Sequence, residues 1–263
     1  MRPLAVLSLV RELRTGAGDR RPIVVGGVAA LVPALARELR RDGDASAVVE
    51  HGSPDRAAAL VYVLEREPSE SDLAVLRAAS SADVPIVAVT EADEVSLPYV
   101  LATDIVRVLP GAGFPVAEIG DAIARRLGEG ATGLAARLPA LRRPVCKHLI
   151  GSFSRTNGLI GAAVFLPGVD MPMLTLNQMR LVLRIALAHG EQIDAGRALE
   201  LATVAGGGFG LRALSRELLH LVPFAGWALK GGVAYTGTRA VGEVALRYFE
   251  AGAPLAHLVP TPD

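Results

Sequence analysis

The chain has 263 residues, of which 51% are hydrophobic but only 4% aromatic, and its 27 basic and 27 acidic side chains cancel to a formal charge of zero. A balanced charge supplies no long-range attraction to nucleic acid, so we expect no nucleic-acid partner. The single cysteine, Cys146, excludes an internal disulfide framework and favours a reducing compartment.

The N-terminal segment, residues 1–20, predicts a short amphipathic helix. Its apolar run, Leu4–Val10, is short and is followed at once by Arg11, Glu12 and Arg14. There is no small-residue cleavage site, so the pattern favours a cytoplasmic protein over one with a signal peptide.

Residues 21–130 alternate between runs of β-branched residues and segments with helical spacing. Continuous apolar strands that alternate with helices are typical of a parallel sheet covered on both faces, so we predict an α/β domain here. The predicted strands are Pro22–Gly27, Ala45–Glu50, Ala58–Glu65, Val84–Thr90 and Asp104–Pro110, and the predicted helices are Val28–Arg41, Ser69–Ala82 and Pro115–Gly128. Ser69 or Ser71 is the expected N-cap of the second helix.

The pattern changes in residues 131–263, where long apolar stretches are broken by proline and glycine. We predict a hydrophobic helical bundle after a boundary within Ala131–Pro144. The predicted helices are Val145–Gly168, Thr175–Gly190, Asp194–Gly206, Gly210–Pro223 and Phe224–Gly252, the last as one helix or as two that meet near Gly231–Gly232. Thr175 and Gln178 have the spacing of a capping box, and Gly190 is placed as a helix stop.

The apolar helices raise the question of a membrane. A spanning helix needs about 20 predominantly apolar residues, and the stretches Leu159–Leu176 and Leu218–Val233 are interrupted by proline or by charge. The final helix is rich in glycine and alanine, which occurs both in membrane bundles and in tightly packed soluble ones. We favour a soluble or peripheral bundle, with hairpin or multi-pass insertion as the alternative.

A phosphate-binding P-loop would have to follow the first strand. That loop needs Gly-x-x-x-x-Gly-Lys-Ser/Thr, because its backbone N–H groups and lysine hold phosphates and its hydroxyl holds Mg²⁺. Gly26 fits the first glycine, but the second glycine, the lysine and the hydroxyl fall on Leu31, Val32 and Pro33.

With that order of elements, Pro22–Gly128 resembles an Era-like GTPase domain that has lost its active site. "EHGS", Glu50–Ser53, occupies the place of the family's Asp-x-x-Gly turn. "VAVTEAD" occupies the place of its Asn/Thr-Lys-x-Asp base-recognition motif, in which Thr90 and Asp93 match but Glu91 replaces the lysine. The resemblance implies a P-loop-GTPase-like sheet without the P-loop, and Thr90 and Asp93 as vestigial nucleotide-binding residues.

A second part of the GTPase machinery has no room in this sequence. Between the first predicted helix and the next strand lie only a few residues around Asp42–Asp44. A switch loop with a metal-binding threonine needs many more residues. Because the P-loop, the switch loop and the lysine are lost together, we expect no GTP hydrolysis, no catalytic residues and no cofactor.

The second part of the chain resembles the YcjF-like hydrophobic helical domain of unknown function, which follows Era-like GTPase domains in many bacteria. The residues that carry this resemblance are "LPGVDMPMLTLNQMRLVLRIALAHG", Leu166–Gly190, and "PFAGWALKGGVAYTGTRAVGEVALRYFEAG", Pro223–Gly252. The resemblance implies a membrane surface or a GTPase-like protein as the partner and no defined reaction.

Several polar residues of the sequence have simpler interpretations than a role in binding. Asp93 after a strand more often caps a turn than binds a base, and Asp170 between two prolines is expected to cap or anchor a helix. The five histidines have no metal-ligand spacing, so we expect no metal site. Lys147, Arg155, Arg180 and Arg184 are expected on a solvated helix face, with anionic lipid as the alternative.

The sequence therefore predicts an α/β domain followed by an all-α domain, acting as a non-catalytic interaction or scaffold protein at the cytoplasmic face of a membrane or with a GTPase partner. A weak, non-canonical nucleotide-binding protein is the alternative. An enzyme on a Rossmann-like fold ranks last, because "GGVAAL" does not match Gly-x-Gly-x-x-Gly.

Overall fold

The computed structural model describes residues 11, 13, 18–65, 67–92, 96–109, 111–163, 171–193 and 226–252. The chain divides into two compact units, one formed by Gly18–Val145 and one that contains the described residues from Cys146 onward. Arg11 and Leu13 are helical, and the rest of the predicted N-terminal helix lies outside the described residues. The predicted helices Asp194–Gly206 and Gly210–Pro223, together with Asp93 and Asp170, also lie outside them.

The first unit is built on a parallel sheet of five strands, in the order β2-β1-β3-β4-β5. The strands are β1 Ile23–Gly27, β2 Val48–Glu50, β3 Ala59–Leu64, β4 Ile86–Thr90 and β5 Ile105–Arg107. Every residue of β3 and β4 is buried, which explains why their sequences are continuous apolar runs rather than alternating ones. The prediction of an α/β fold with a parallel five-stranded sheet is thereby confirmed.

Three longer helices accompany this sheet: α1 Val32–Arg40, α2 Glu70–Ser81 and α3 Val116–Leu127. Right-handed crossovers place α1, which leads from β1 to the outer strand β2, and α2, which leads from β3 to β4, on opposite faces. On the α2 face, Leu76 packs in one cluster with Leu60, Tyr62 and Ile86. The sheet is therefore doubly wound, and its core is two-sided.

Helix α2 begins with the cap that the sequence predicts at Ser69. The Ser69 hydroxyl accepts from the Asp72 N–H, and the Asp72 carboxylate accepts from the Ser69 N–H, which completes a capping box. The Tyr62 hydroxyl of β3 donates to the same carboxylate at 2.7 Å. Burial opposes ionisation of Asp72, but the hydrogen bonds from Ser69 and Tyr62 outweigh it and lower its pKa.

Two further helices close the first unit and lead into the second: α4 Thr132–Arg137 and α5 Pro139–Ala163. The prediction that a helix begins only at Val145 is wrong, because α5 continues through Pro144. Pro144 is close-packed against α3, where a Cβ added to Gly120 would lie 2.8 Å from the Pro144 ring. A proline inside a helix removes one backbone hydrogen bond, and here the ring also makes an apolar contact with the neighbouring helix.

The described part of the second unit contains the rest of α5 with helices α6, Met171–Ala188, and α7, Gly226–Glu250. The prediction of Thr175 as an N-cap is wrong, since α6 begins four residues earlier. Gly190 does end α6: its φ is +89°, and the following N–H of Glu191 reaches back to the Ala186 carbonyl at 3.1 Å. Helix α7 continues through Gly231 and Gly232 as one helix.

Glycines set how closely α7 approaches its neighbours. A Cβ added to Gly231 would lie 2.9 Å from the Gly158 carbonyl oxygen of α5. A Cβ added to Gly242 would lie 2.6 Å from Ile150 of α5 and 3.0 Å from Leu181 of α6.

Within the part of the chain that the structure describes, no helix is long and apolar enough to cross a membrane. The sequence alone left membrane insertion of these helices open as an alternative.

Replacement of Gly242 by alanine tests this close packing. We expect Gly242→Ala to lower the free energy of unfolding of the helical unit by about 1–2 kcal/mol, because overpacking of the buried Ile150 and Leu181 side chains exceeds the gain in helix propensity. Gly237→Ala in the same helix is the matched control, since no described atom lies within 4 Å of its added Cβ. This control variant should raise the free energy of unfolding of the helical unit by about 0.5–1 kcal/mol. Thermal unfolding followed by circular dichroism compares the unfolding temperatures of the two variants. Shifts of the same sign would contradict the claim that Gly242 is needed for close helix packing.

Candidate binding site at the carboxyl end of the sheet

A cavity of about 130 Å³ lies at the carboxyl ends of β3 and β4 and beside the segment that follows β5. In doubly wound sheets the carboxyl ends of the strands form the crevice in which ligands bind, beside the point where the strand order reverses. Here that point lies between β1 and β3. The lining residues are Leu31, Val63, Leu64, Glu65, Val89, Thr90, Glu91, Val108, Ala112, Gly113 and Phe114.

Strand register determines which side chains meet at this cavity. Val63 and Leu64 of β3 pair with Val89 and Thr90 of β4. Glu65 and Glu91 are the next residue of each strand, so the two acids follow adjacent strands. The cavity wall is therefore mostly apolar, and its carboxylates are at the strand ends.

The turn after β1 is held against β3 by Gly27. Its φ is +104°, and a Cβ added there would lie 2.0 Å from the Val63 carbonyl oxygen. The same carbonyl accepts from the Val28 N–H at 3.1 Å. Only glycine fits this position, because any side chain would collide with the neighbouring strand.

The start of helix α1 is closed by its own backbone. The N–H groups of Leu31 and Val32 both donate to the Val28 carbonyl, at 2.9 Å and 3.1 Å. Pro33 follows and has no N–H to offer. A helix N-terminus binds an anion through such donors, so this one has few left for a phosphate.

Thr90 lines the cavity and ends β4. Its side chain is buried, with 1% exposed, and its hydroxyl accepts from the Ala92 N–H at 3.2 Å. Its carbonyl accepts from the Val108 N–H at 2.9 Å. These bonds give Thr90 a structural role at the end of the strand. Whether Thr90 and Asp93 retain any nucleotide contact stays a prediction, since Asp93 lies outside the described residues.

The charge at the cavity is negative. Glu65 and Glu91 are exposed, and neither forms an ion pair with another residue that the structure describes. No lysine or arginine is among the lining residues. The electrostatic field at the cavity therefore favours a cation and opposes phosphate.

The surface beside the cavity is apolar. Leu109 is 74% exposed and belongs to the same turn as the lining residues Val108 and Ala112. The Ala112 N–H donates to the Leu109 carbonyl at 2.9 Å, and Gly111 supplies the positive φ of +75°. This tight turn holds a leucine side chain in solvent next to the cavity.

The second unit contains a buried polar cluster that the sequence analysis missed. Asn157 of α5 donates to the Thr238 hydroxyl of α7 at 2.8 Å and accepts from Asn177 of α6 at 2.9 Å. Gln178 of α6 also donates to Thr238, at 3.3 Å. The four residues connect the three described helices of the second unit, α5, α6 and α7. In the sequence, the cluster is indicated only by single polar residues within apolar helices.

The predicted basic face does not form as one exposed surface. Lys147 and Arg155 are exposed, but Arg184 has only 7% of its surface exposed and Arg180 is half-buried. The sequence spacing was compatible with a single face, but Arg180 and Arg184 lie on a side of α6 that is largely buried.

Among the residues that the structure describes, no group of three or more histidine, cysteine, aspartate or glutamate side chains is placed to hold a metal ion.

No protein-family model, no curated protein and no solved structure matches this chain significantly.

The contact at Gly27 predicts a large effect of a single methyl group. Gly27→Ala should lower the free energy of unfolding of the α/β unit by about 3 kcal/mol or more, because it combines a left-handed backbone with a collision against Val63. Urea denaturation followed by circular dichroism measures this loss.

The control is Gly113→Ala at the edge of the cavity, where no described atom lies within 4 Å of the added Cβ. It should change the stability by less than about 0.5 kcal/mol. Equal losses for the two variants would show that the Val63 contact is not what holds the turn.

Proposed function

We propose that this chain is a non-catalytic interaction protein. Its α/β unit is a degenerate Era-like GTPase domain without nucleotide chemistry, and its second unit is a YcjF-like hydrophobic helical domain. The partner is a GTPase-like protein or the cytoplasmic face of a membrane. The observation that supports the proposal is the β1–α1 turn, where the N–H groups of Leu31 and Val32 are bonded to the Val28 carbonyl and Pro33 has no N–H, so few donors remain for a phosphate.

The size of the cavity supports the same view. Pockets for nucleotide-sized ligands measure about 300–1,000 Å³, whereas this cavity measures about 130 Å³. Leu31 and Phe114 are among the side chains that limit it. A base with its ribose and phosphates exceeds this space.

The acid at the family's metal-associated turn is engaged elsewhere. Glu50 occupies the position of the aspartate in that turn, and its carboxylate accepts from the Arg40 guanidinium at 2.7 Å. Arg40 also donates to the Val48 carbonyl at 2.9 Å. An acid bound to arginine in this way is a poor ligand for Mg²⁺, so the pair supports a structural role for Glu50.

The connection between α1 and β2 also differs from a switch loop. Only Arg41–Asp44 separates the helix from the 3₁₀ turn Ala45–Ala47 before β2. Asp44 accepts from Ser46 and from the Arg137 guanidinium, at 2.7 Å and 3.0 Å. Hydrogen bonds from Ser46 and Arg137 lower the pKa of Asp44 to about 2. A connection this short and tightly bonded supports a fixed corner of the fold in place of a mobile, metal-binding loop.

Calorimetric titration of the full chain with GTP, GDP and ATP in the presence of Mg²⁺ tests the proposal. We expect no heat of binding up to millimolar nucleotide, because the turn offers few phosphate donors and the cavity is too small. Binding with a micromolar Kd would contradict the proposal and establish the alternative, a non-canonical nucleotide-binding protein that uses Thr90 and Asp93.

The variant Glu91→Lys is the matched control. It restores the lysine of the family's base-recognition motif and removes the repulsion toward phosphate. Because the β1–α1 turn is unchanged in this variant, it should remain silent in the same titration. Nucleotide binding by the variant alone would locate the block at Glu91 rather than in the turn.

A further inference from the structure

We propose that the carboxyl-end cavity of the α/β unit is a docking site for a partner protein segment in which one leucine-sized aliphatic side chain is flanked by lysine or arginine. The inference rests on the proposed non-catalytic function and names the chemistry of the partner. It follows from the volume of the cavity, from its access to solvent and from its charge.

The volume fits one aliphatic side chain. An apolar protein cavity of about 150 Å³ accepts a benzene ring, so about 130 Å³ accommodates a group of four or five carbons. Val63, Val89 and Val108 supply apolar walls from three consecutive strands or the segments that follow them. A leucine, isoleucine or methionine side chain matches this space, and a tryptophan does not.

The cavity is open to an incoming segment. Ala112 and Gly113 line it and are exposed, as are the two glutamates at its edge. Leu109 projects into solvent in the same turn and extends the apolar contact beyond the cavity. A bound segment therefore buries its aliphatic side chain in the cavity and lies against Leu109 outside it.

The negative charge at the cavity edge determines which partner residues fit next to the bound aliphatic side chain. Glu65 and Glu91 follow paired positions of adjacent strands, which lie about 5 Å apart in a sheet. Among the residues that the structure describes, no lysine or arginine lines the cavity. The two carboxylates make this edge of the cavity negative, and a lysine or arginine from the partner complements that charge. An acidic segment or a phosphate would be repelled by the same charge.

The test is a methyl-detected NMR titration of the full chain with a pentapeptide that has one leucine between two lysines and a glycine at each end. Millimolar peptide should produce saturable shifts of the Val63, Val89 and Val108 methyl signals. Replacement of the peptide leucine by alanine should weaken binding about tenfold or more, because the aliphatic group is the part that is buried. The protein variant Ala112→Phe should abolish the shifts by filling the cavity entrance.

Charge variants test the second half of the inference. Glu65→Gln combined with Glu91→Gln should weaken the peptide about fivefold, the size expected for two exposed ion pairs. The matched control removes two exposed acids from helix α3, which does not line the cavity, as Glu118→Gln combined with Asp121→Asn. It should leave the affinity within about twofold, since screened charges at a distance contribute little.

Each outcome decides the inference. Absence of methyl shifts, equal affinity for the alanine peptide, or equal losses in the two pairs of charge variants would overturn it. If the peptide does not bind and nucleotides do not bind either, only the docking inference fails and the proposed function stands. If Mg²⁺-nucleotide binds and shifts the same methyl signals, both fail.

Discussion

The first unit depends on the contact between the end of β1 and the backbone of β3. Gly27 brings its Cα so close to Val63 that a Cβ would lie 2.0 Å from the carbonyl oxygen. That contact fixes Val28, and the Val28 carbonyl in turn takes the first donors of helix α1. The position of Leu31 in the cavity follows from the same turn. This glycine therefore positions the turn that borders the site and in which two N–H donors are already bonded.

The second unit relies on a different constraint, the spacing between helices. Glycines at α7 allow the backbones of α5 and α7 to approach closely, and the buried Asn157–Thr238 bond lies between the same two helices. Apolar packing alone tolerates small rotations of a helix, whereas a buried amide that loses its partner costs about 1–3 kcal/mol. The polar cluster thus selects one alignment among the many that an apolar bundle permits.

Sequence reasoning succeeded where a local signal was strong. The strands were predicted because β3 and β4 are buried on both faces and read as unbroken apolar runs. Ser69 and Gly190 were predicted because capping and helix termination depend on a few neighbouring residues. The absence of a P-loop, inferred from Gly26, Leu31, Val32 and Pro33, stays a prediction.

The sequence predictions were wrong or incomplete where contacts between residues far apart in the sequence determine the structure. Pro144 looked like a helix boundary, but its ring packs on Gly120 of another helix. Thr175 has the spacing of a cap, yet α6 begins at Met171. The cavity itself depends on register between strands and on the turn after β5, and neither is encoded in a local pattern. The Asn157 cluster joins residues up to 81 positions apart, beyond the reach of any periodicity.

The central claim is that the Leu31 and Val32 N–H donors at the start of α1 are bound within the turn and do not bind phosphate. Hydrogen exchange of the Leu31 and Val32 amides measures this directly, with and without millimolar Mg²⁺-GTP. The account predicts that both amides exchange slowly, as expected for N–H groups bonded to the Val28 carbonyl, and that nucleotide leaves their rates unchanged. Fast exchange that becomes slow when Mg²⁺-GTP is added would contradict it.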